Sequence, residues 1–185
     1  MDIYVFSINF ADMKNYHRKP SAPSTPLAAR LIATACGAGY CPKAPGTAGA
    51  FVGLVAWIGI AYVVPITAIN WLTLALILLF TALGIWATAT LMPSWGNDPS
   101  RVVIDEVVGM WTALLAAPAF ELENRIWMAL AAFVLFRLFD IYKPLGIRSL
   151  DRHVGAFWVM ADDILAGVYV LVILLLVGNI PHLYI

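Results

Sequence analysis

Charged residues are concentrated in one short segment of this chain. The 185 residues include eleven Asp or Glu and eleven Lys or Arg, and eight of these charges fall between positions 136 and 163. They are Arg137, Asp140, Lys143, Arg148, Asp151, Arg152, Asp162 and Asp163. Arg137, Asp140 and Lys143 are spaced three apart, so in a helix they would lie near one face. Either a salt-bridge ladder between helix ends or a functional site would produce this spacing.

Six acidic residues predict a metal site. An acid within an apolar membrane segment costs roughly 2.5 to 3.5 kcal/mol at the helix centre, and like charges on one face destabilise one another unless a cation lies between them. Oxygen-only ligands suit a hard cation, and Mg²⁺ takes one or two carboxylates together with water and phosphate oxygens. The predicted catalytic acids are Asp105, Glu106, Asp140, Asp151, Asp162 and Asp163, and the predicted Mg²⁺ ligands are the same residues without Asp151.

Two pairs of these acids are adjacent in the chain. Asp105 precedes Glu106, and Asp162 precedes Asp163. Neighbouring residues on a helix point in different directions. We therefore expect one acid of each pair to face the site, while the other caps a helix or supports a ligand.

Basic residues accompany the acids and predict an anionic substrate. Lys43 lies in the segment KAPGTAG, whose Gly and Pro residues can hold backbone N–H groups outward as an anion-binding nest. A plain loop between two helices has the same composition. Arg137, Lys143 and Arg152 add further cationic donors. Phosphate carries up to about two negative charges, and carboxylates would repel it unless a metal and Lys or Arg intervened, so we predict that the substrate carries a phosphate group.

The rest of the sequence is typical of an integral membrane protein. Apolar residues make up 62% of the chain and the mean hydropathy is +0.86, above the roughly half-apolar composition of soluble domains. Positions 44 to 97 contain no Asp, Glu, Lys or Arg, and a spanning helix needs only about 20 residues. We predict an all-α membrane bundle of about five spanning or partly spanning helices, plus an amino-terminal cytoplasmic helix. The balanced charge gives no support to nucleic-acid binding.

Helix signals and charge divide the chain and orient it. Residues 1–24 are expected to form a cytoplasmic arm, and residues 25–185 a single membrane-embedded catalytic domain. With the amino terminus in the cytoplasm, ten of the eleven basic residues fall on that side, as the positive-inside rule requires. The same topology brings seven of the eleven acids to the cytoplasmic face. The predicted spans are 47 to about 66, 71 to about 92, a third that begins at 99 or 100 and ends in the ELENR segment, 126–142, and a fifth that Asp162 and Asp163 open.

Four segments carry a family resemblance. ATACGAGYCPKAPGTAGA (33–50), DPSRVVIDEVVGMW (98–111), FRLFDIYKPLGIRSLDR (136–152) and VMADDILAG (159–167) resemble phosphatidylglycerophosphatase A, a bacterial membrane lipid phosphatase. The resemblance implies Mg²⁺-dependent hydrolysis of phosphatidylglycerophosphate to phosphatidylglycerol and phosphate, within phospholipid biosynthesis. It also implies a multi-pass protein of the bacterial inner membrane with its active site at the cytoplasmic face.

The resemblance also implies roles for individual residues. The family's acidic positions map onto the six acids above, and its basic positions map onto Lys43, Arg137, Lys143 and Arg152. Thr47, within the matching Pro-Gly-Thr turn, completes the predicted phosphate-binding set. The chain departs from the family after Asp151, where the family has a glycine-rich GG-x-G before its two aspartates and this sequence reads VGAFWVMADD.

Other functions fit parts of the pattern. A metal-dependent phosphatase acting on another lipid phosphate would use the same residues, with either water or a carboxylate as the nucleophile. A membrane cation transporter would also hold acids, but here the acids cluster at one end beside basic residues, and the first two spans carry no charge to continue a path. A noncatalytic scaffold would need neither a metal nor a phosphate clamp.

Overall fold

The described part of the chain consists of helices joined by turns and loops. The computed structural model describes residues 25–97, 99–119, 122–144 and 146–178. In these ranges there is no strand, and the predicted all-α class is confirmed. The predicted arm at 1–24 lies outside the described residues. The seven α-helices are α1 (Leu27–Ala33), α2 (Pro45–Val63), α3 (Ile66–Trp95), α4 (Ile104–Leu114), α5 (Leu122–Tyr142), α6 (Ile147–Asp151) and α7 (Ala156–Gly178), with 3-10 turns at Ala38–Tyr40 and Ala117–Ala119.

Three of the helices in the described ranges are suited to cross a membrane. The helices α2, α3 and α7 are long and apolar enough to span, with mean hydropathies of 1.7, 2.1 and 2.3. They leave large apolar side chains uncovered, such as Trp71 and Leu78 on α3 and Leu176 on α7. Apolar surface of this extent marks contact with lipid or with a partner. The chain is therefore a membrane protein, as its composition predicted.

The short helix α4 lies at the centre of the bundle. All eleven of its residues are buried, and it packs against α2, α3, α5 and α7. The indole Nε1 of Trp111 donates to the Gly53 carbonyl at 2.9 Å, which ties α4 to α2. The helix predicted to begin at 99 or 100 begins at Ile104 and ends at Leu114, so its predicted extent was wrong. A helix of this length reaches about 16 Å at 1.5 Å per residue, and the hydrocarbon core is about 30 Å thick, so α4 by itself can cross only part of a membrane.

Close helix packing depends on glycine at the contact between α4 and α7. A Cβ on Gly109 would lie 2.7 Å from the Asp163 carbonyl oxygen and 2.7 Å from the Phe136 ring. A Cβ on Gly167 would overlap the Gly109 carbonyl oxygen. Both helices therefore approach backbone to backbone, in the way small residues permit within membranes, and this contact sets the position of Asp163 relative to α4.

Two helix boundaries near the charged segment differ from the prediction. The helix α7 begins at Ala156 rather than at the two aspartates. Gly155 has φ 136°, which is not a helical conformation, and the apolar residues that follow it are compatible with a helix. Asp162 and Asp163 are consequently buried in the helix and do not open it. The stretch predicted as a loop also contains the short helix α6.

Candidate active site

A polar cavity opens at one end of the bundle. Its volume is about 490 Å³, and its walls come from the amino-terminal ends of α2 and α4, the carboxyl-terminal end of α5, and α6 with the first turns of α7. All the residues predicted from the sequence line it: Lys43, Thr47, Asp105, Glu106, Arg137, Asp140, Lys143, Asp151, Arg152, Asp162 and Asp163. The structure thus brings together side chains that lie up to 120 positions apart in the sequence. Asp98, the seventh acid expected at this face, lies outside the described residues.

Three carboxylates converge in the cavity. Glu106 of α4, Asp140 of α5 and Asp163 of α7 each offer an oxygen, and these oxygens all lie within 4.8 Å of one another. Glu106 and Asp163 are buried and Asp140 is half-buried. Acidic oxygens this close repel one another unless a cation intervenes, and a donor set made only of oxygen suits Mg²⁺ or another hard cation. The three residues therefore fit a metal site of the kind the sequence predicts.

The first turn of α4 adds to this negative charge. Burial raises the pKa of Asp105 above its ordinary value, and Glu106 beside it raises that pKa further. Burial, and next the charge of Asp140, raise the pKa of Glu106 to about 7. Both acids lie outside the three helices that are long enough to span the membrane. A cation bound between the carboxylates would favour their ionised forms.

Arg137 joins two of the three converging acids. Its guanidinium is paired with the Glu106 carboxylate and lies 2.8 Å from Asp140 Oδ2, one helical turn along α5. The spacing of three thus produces an ion pair within α5, between Arg137 and Asp140, and the ion pair between helices joins Arg137 to Glu106 of α4. The functional role of Arg137 stays a prediction. Arg137 can hold both carboxylate groups in position for a third partner.

The structure separates the members of each adjacent acidic pair. Glu106 and Asp163 face the shared centre. Asp105 Oδ1 instead accepts the backbone N–H of Glu106 at 3.0 Å, and Asp162 Oδ2 accepts Lys143 Nζ at 2.7 Å. This arrangement resolves an alternative that sequence spacing leaves open. Asp105 and Asp162 still line the same cavity, so their predicted role as ligands stays a prediction.

Lys143 links the end of α5 to α6 and α7. The residue has φ 47°, a left-handed conformation that ends α5 before Pro144, and its ammonium group is paired with both Asp151 and Asp162. Burial lowers the pKa of Lys143, but the hydrogen bonds to these two carboxylates outweigh it and raise that pKa above its ordinary value. Lys143 is therefore a permanent positive charge on the cavity wall.

The amino-terminal turn of α2 faces the acids from the other side. The first hydrogen bond at this end runs from the Ala48 N–H to the Ala44 carbonyl, so the amides of Gly46 and Thr47 have no acceptor within the helix. Such a helix end is suited to bind anions. A Cβ on Gly46 would overlap the Glu106 carboxylate, so glycine allows the turn to approach the acids. Lys43 and Arg152 are exposed at the cavity mouth.

Two aromatic residues in the cavity wall were missed by the sequence reasoning. His153 and Trp158 stack with ring centroids 4.5 Å apart and an interplanar angle of 28°, and both line the cavity. His153 Nδ1 lies 2.8 Å from the Ser149 carbonyl oxygen, and because a carbonyl only accepts, Nδ1 is the donor. The pair lies in the segment where the sequence departs from the glycine-rich family pattern. That departure was the sequence feature from which these two residues could have been identified.

Comparisons with known proteins agree on one family. A model of the family described as phosphatidylglycerophosphatase A matches residues 31–178. Proteins named phosphatidylglycerophosphatase A from Escherichia coli K12 and Haemophilus influenzae are each 34% identical, over 80% and 77% of this chain and 83% and 84% of their own lengths. A Bacteroides thetaiotaomicron protein, provisionally named as a phosphatidylinositol-3-phosphatase, is 52% identical over 75% of this chain and 86% of its own length. No solved structure matches the chain.

Proposed function

Because the chain belongs to the phosphatidylglycerophosphatase A family and is a membrane phosphatase, we propose that it hydrolyses the terminal phosphate of phosphatidylglycerophosphate to give phosphatidylglycerol. The observation that carries this proposal is the convergence of Glu106, Asp140 and Asp163 beside the first turn of α2. That arrangement combines a metal-binding centre with anion-binding groups. It also lies at one end of the helical bundle, where a lipid headgroup would reach it.

Each group in the cavity has a distinct part in the proposed reaction. Glu106, Asp140 and Asp163 would hold Mg²⁺, which when bound neutralises phosphate charge and lowers the pKa of water. Arg137 keeps two of these carboxylates in place. The free amides of Gly46 and Thr47, with Lys43 and Arg152 at the mouth, bind the phosphate oxygens.

The reaction itself is a single displacement at phosphorus. Water attacks in line with the ester oxygen, and its oxygen bonds to phosphorus as the bond to the glycerol oxygen breaks. The attacking water loses a proton and the leaving glycerol oxygen takes one up, which gives the alcohol and free phosphate. The role of the protein in such reactions is mainly positioning and charge stabilisation. The short distances among the three acids and Arg137 supply both.

A second substrate is favoured by one comparison. The relative of 52% identity is named provisionally for phosphatidylinositol 3-phosphate, whereas the two relatives named for phosphatidylglycerophosphate are 34% identical. Both lipids present a phosphate monoester on a polyol, so the same metal and anion-binding groups would serve. We rank phosphatidylglycerophosphate first because the family description covers most of the chain.

A direct assay tests substrate and metal together. Purified protein in detergent is given phosphatidylglycerophosphate or phosphatidylinositol 3-phosphate, and phosphate release is measured with Mg²⁺, after chelation, and after Mg²⁺ is returned. We expect the higher kcat/KM for phosphatidylglycerophosphate, release at background after chelation, and recovery on adding Mg²⁺. Release that survives chelation would refute the metal role. A higher kcat/KM for the inositol lipid would move the assignment to the second substrate.

We also propose the bacterial inner membrane as the location, with the cavity at the cytoplasmic face. The cavity end carries Lys43, Arg137, Lys143 and Arg152, whereas Arg125 lies near the other end of α5, which agrees with the positive-inside rule. The exposed cysteines Cys36 and Cys41 precede α2 at the cavity end. A membrane-impermeant maleimide should label them in opened cells and leave them unlabelled in intact spheroplasts; labelling in intact spheroplasts would place the cavity on the outside.

A further inference from the structure

A second cavity, here called the groove, lies on the outer surface of the bundle and is separate from the polar cavity. It has a volume of about 330 Å³ and runs between α3, α6 and α7. On α7 its lining residues recur at helical spacing and form one stripe. The stripe consists of Phe157, Met160, Ala161, Ile164, Leu165 and Val168, with Thr81 of α3 and Leu150 of α6 opposite.

The lining of this groove is apolar throughout. Thr81 is the only lining residue with a hydroxyl, and its Oγ1 donates to the Ile77 carbonyl within α3 at 2.7 Å. The hydroxyl is therefore satisfied. The floor is the close contact between α3 and α7, where a Cβ on Gly84 would lie 2.8 Å from Met160 Sδ. Phe157 and Val168, near its two ends, are exposed.

The groove begins at the wall of the polar cavity. Leu150 lines the groove and its chain neighbour Asp151 lines the cavity. Phe157 lines the groove and packs edge-on against Trp158 of the cavity, with ring centroids 5.1 Å apart. The polar cavity and the groove thus lie on opposite sides of one wall. Trp is enriched where membrane proteins meet the membrane–water interface, and Trp158 lies in this wall.

The length of the groove matches one leaflet of a bilayer. Phe157 and Val168 are eleven positions apart, which is about 16 Å along a helix axis. The hydrocarbon core is about 30 Å thick, so the groove reaches from the headgroup level to near the midplane. An extended acyl chain has these dimensions and this chemistry.

We propose that this groove binds an acyl chain of the phosphorylated lipid whose headgroup occupies the polar cavity. The inference rests on the proposed lipid phosphatase function and adds a subsite to it. The bound lipid then crosses the wall of Leu150, Phe157 and Trp158, with its headgroup on the side of the polar cavity and its acyl chain on the side of the groove. Binding energy from the chain, remote from the reacting phosphate, holds the headgroup in place.

Filling the groove tests the subsite through activity. Ala161→Phe blocks the middle and Val168→Phe blocks the far end. Val55→Phe is the matched control, because Val55 is exposed on α2, which does not line the groove. For long-chain phosphatidylglycerophosphate, Ala161→Phe and Val168→Phe should lower kcat/KM about ten- to a hundredfold, because a displaced acyl chain misplaces the headgroup and a misplacement of about 1 Å can cost about a hundredfold. Val168→Phe should leave the dioctanoyl lipid unaffected, and all variants should match the wild type on glycerophosphoglycerophosphate, which has no acyl chains.

A second measurement does not depend on turnover. Phosphatidic acid with a diazirine on one acyl chain is photolysed with the protein in phosphatidylcholine vesicles, and the labelled peptides are identified. We expect labelling between Phe157 and Val168 that Ala161→Phe removes and Val55→Phe retains. Equal labelling of the groove by a diazirine phosphatidylcholine, or equal kcat/KM losses with and without acyl chains, would overturn the subsite. Absence of phosphate release by the wild type would refute the proposed function alone, since the labelling still tests the groove.

Discussion

Asp163→Asn is expected to reduce phosphate release at least about a thousandfold while the protein remains folded. A bound metal contributes several kcal/mol of transition-state charge stabilisation, and each 1.36 kcal/mol corresponds to a tenfold change in rate. Asp163 is one of three acids whose oxygens lie within 4.8 Å. An amide at this position keeps the shape of the side chain and removes its charge, so the loss reports on the metal and phosphate chemistry.

The measurement is kcat at saturating lipid and Mg²⁺, with thermal unfolding in the same detergent as the check on folding. Glu106→Gln and Asp140→Asn should behave in the same way, because all three acids share one centre. Glu123→Gln is the matched control, since position 123 lies near the opposite end of α5 from Asp140. Near-normal turnover of Asp163→Asn at ordinary Mg²⁺ concentrations would remove these acids from the catalytic assignment.

Arg137→Lys is expected to lower kcat about a hundredfold and to raise the Mg²⁺ concentration needed for half activity. Residues that position metal ligands typically contribute 10- to 100-fold to metal affinity or activity. The Arg137 guanidinium contacts Glu106 and Asp140 at once. A lysine ammonium carries the same charge but lacks the planar fork that holds two carboxylates.

Titration of activity with Mg²⁺ distinguishes positioning from charge alone. Arg148→Lys is the control, because Arg148 is exposed and its guanidinium lies 3.5 Å from the Tyr142 carbonyl oxygen. If Arg137 acts only through its positive charge, Arg137→Lys will retain wild-type turnover and an unchanged Mg²⁺ requirement. That outcome would contradict the geometric role proposed for Arg137.

The residues of the candidate site could be selected from sequence because charge is costly in this chain. In a chain that is 62% apolar, an acid or base in or beside a membrane segment persists where it is paired or bound. The amino acids selected on that ground all line one cavity. The membrane class followed from composition in the same way, and the segment resemblance agrees with the family that the comparisons show.

Helix boundaries, and whether a helix faces lipid or other helices, were harder to predict from the sequence. Charge was taken to open α7, but the helix begins at Ala156 after a left-handed glycine. A third span was expected where the short, wholly buried α4 lies. Apolar composition cannot distinguish a helix that faces lipid from one that is surrounded by other helices, since both environments exclude water.

Residue types and spacing by themselves determined the membrane class, the family and the set of charged residues that meet at one end of the bundle. Only the tertiary structure decided which acid of each adjacent pair faces the shared centre, and that Arg137 joins Glu106 to Asp140. The physical reason is that sequence spacing fixes the directions of side chains around one helix axis, whereas the rotation of one helix relative to its neighbours depends on how the helices pack. Here the backbone contact at Gly109 and Gly167 sets the rotation of α7 relative to α4, and it places Asp163 against the acids of α4 and α5.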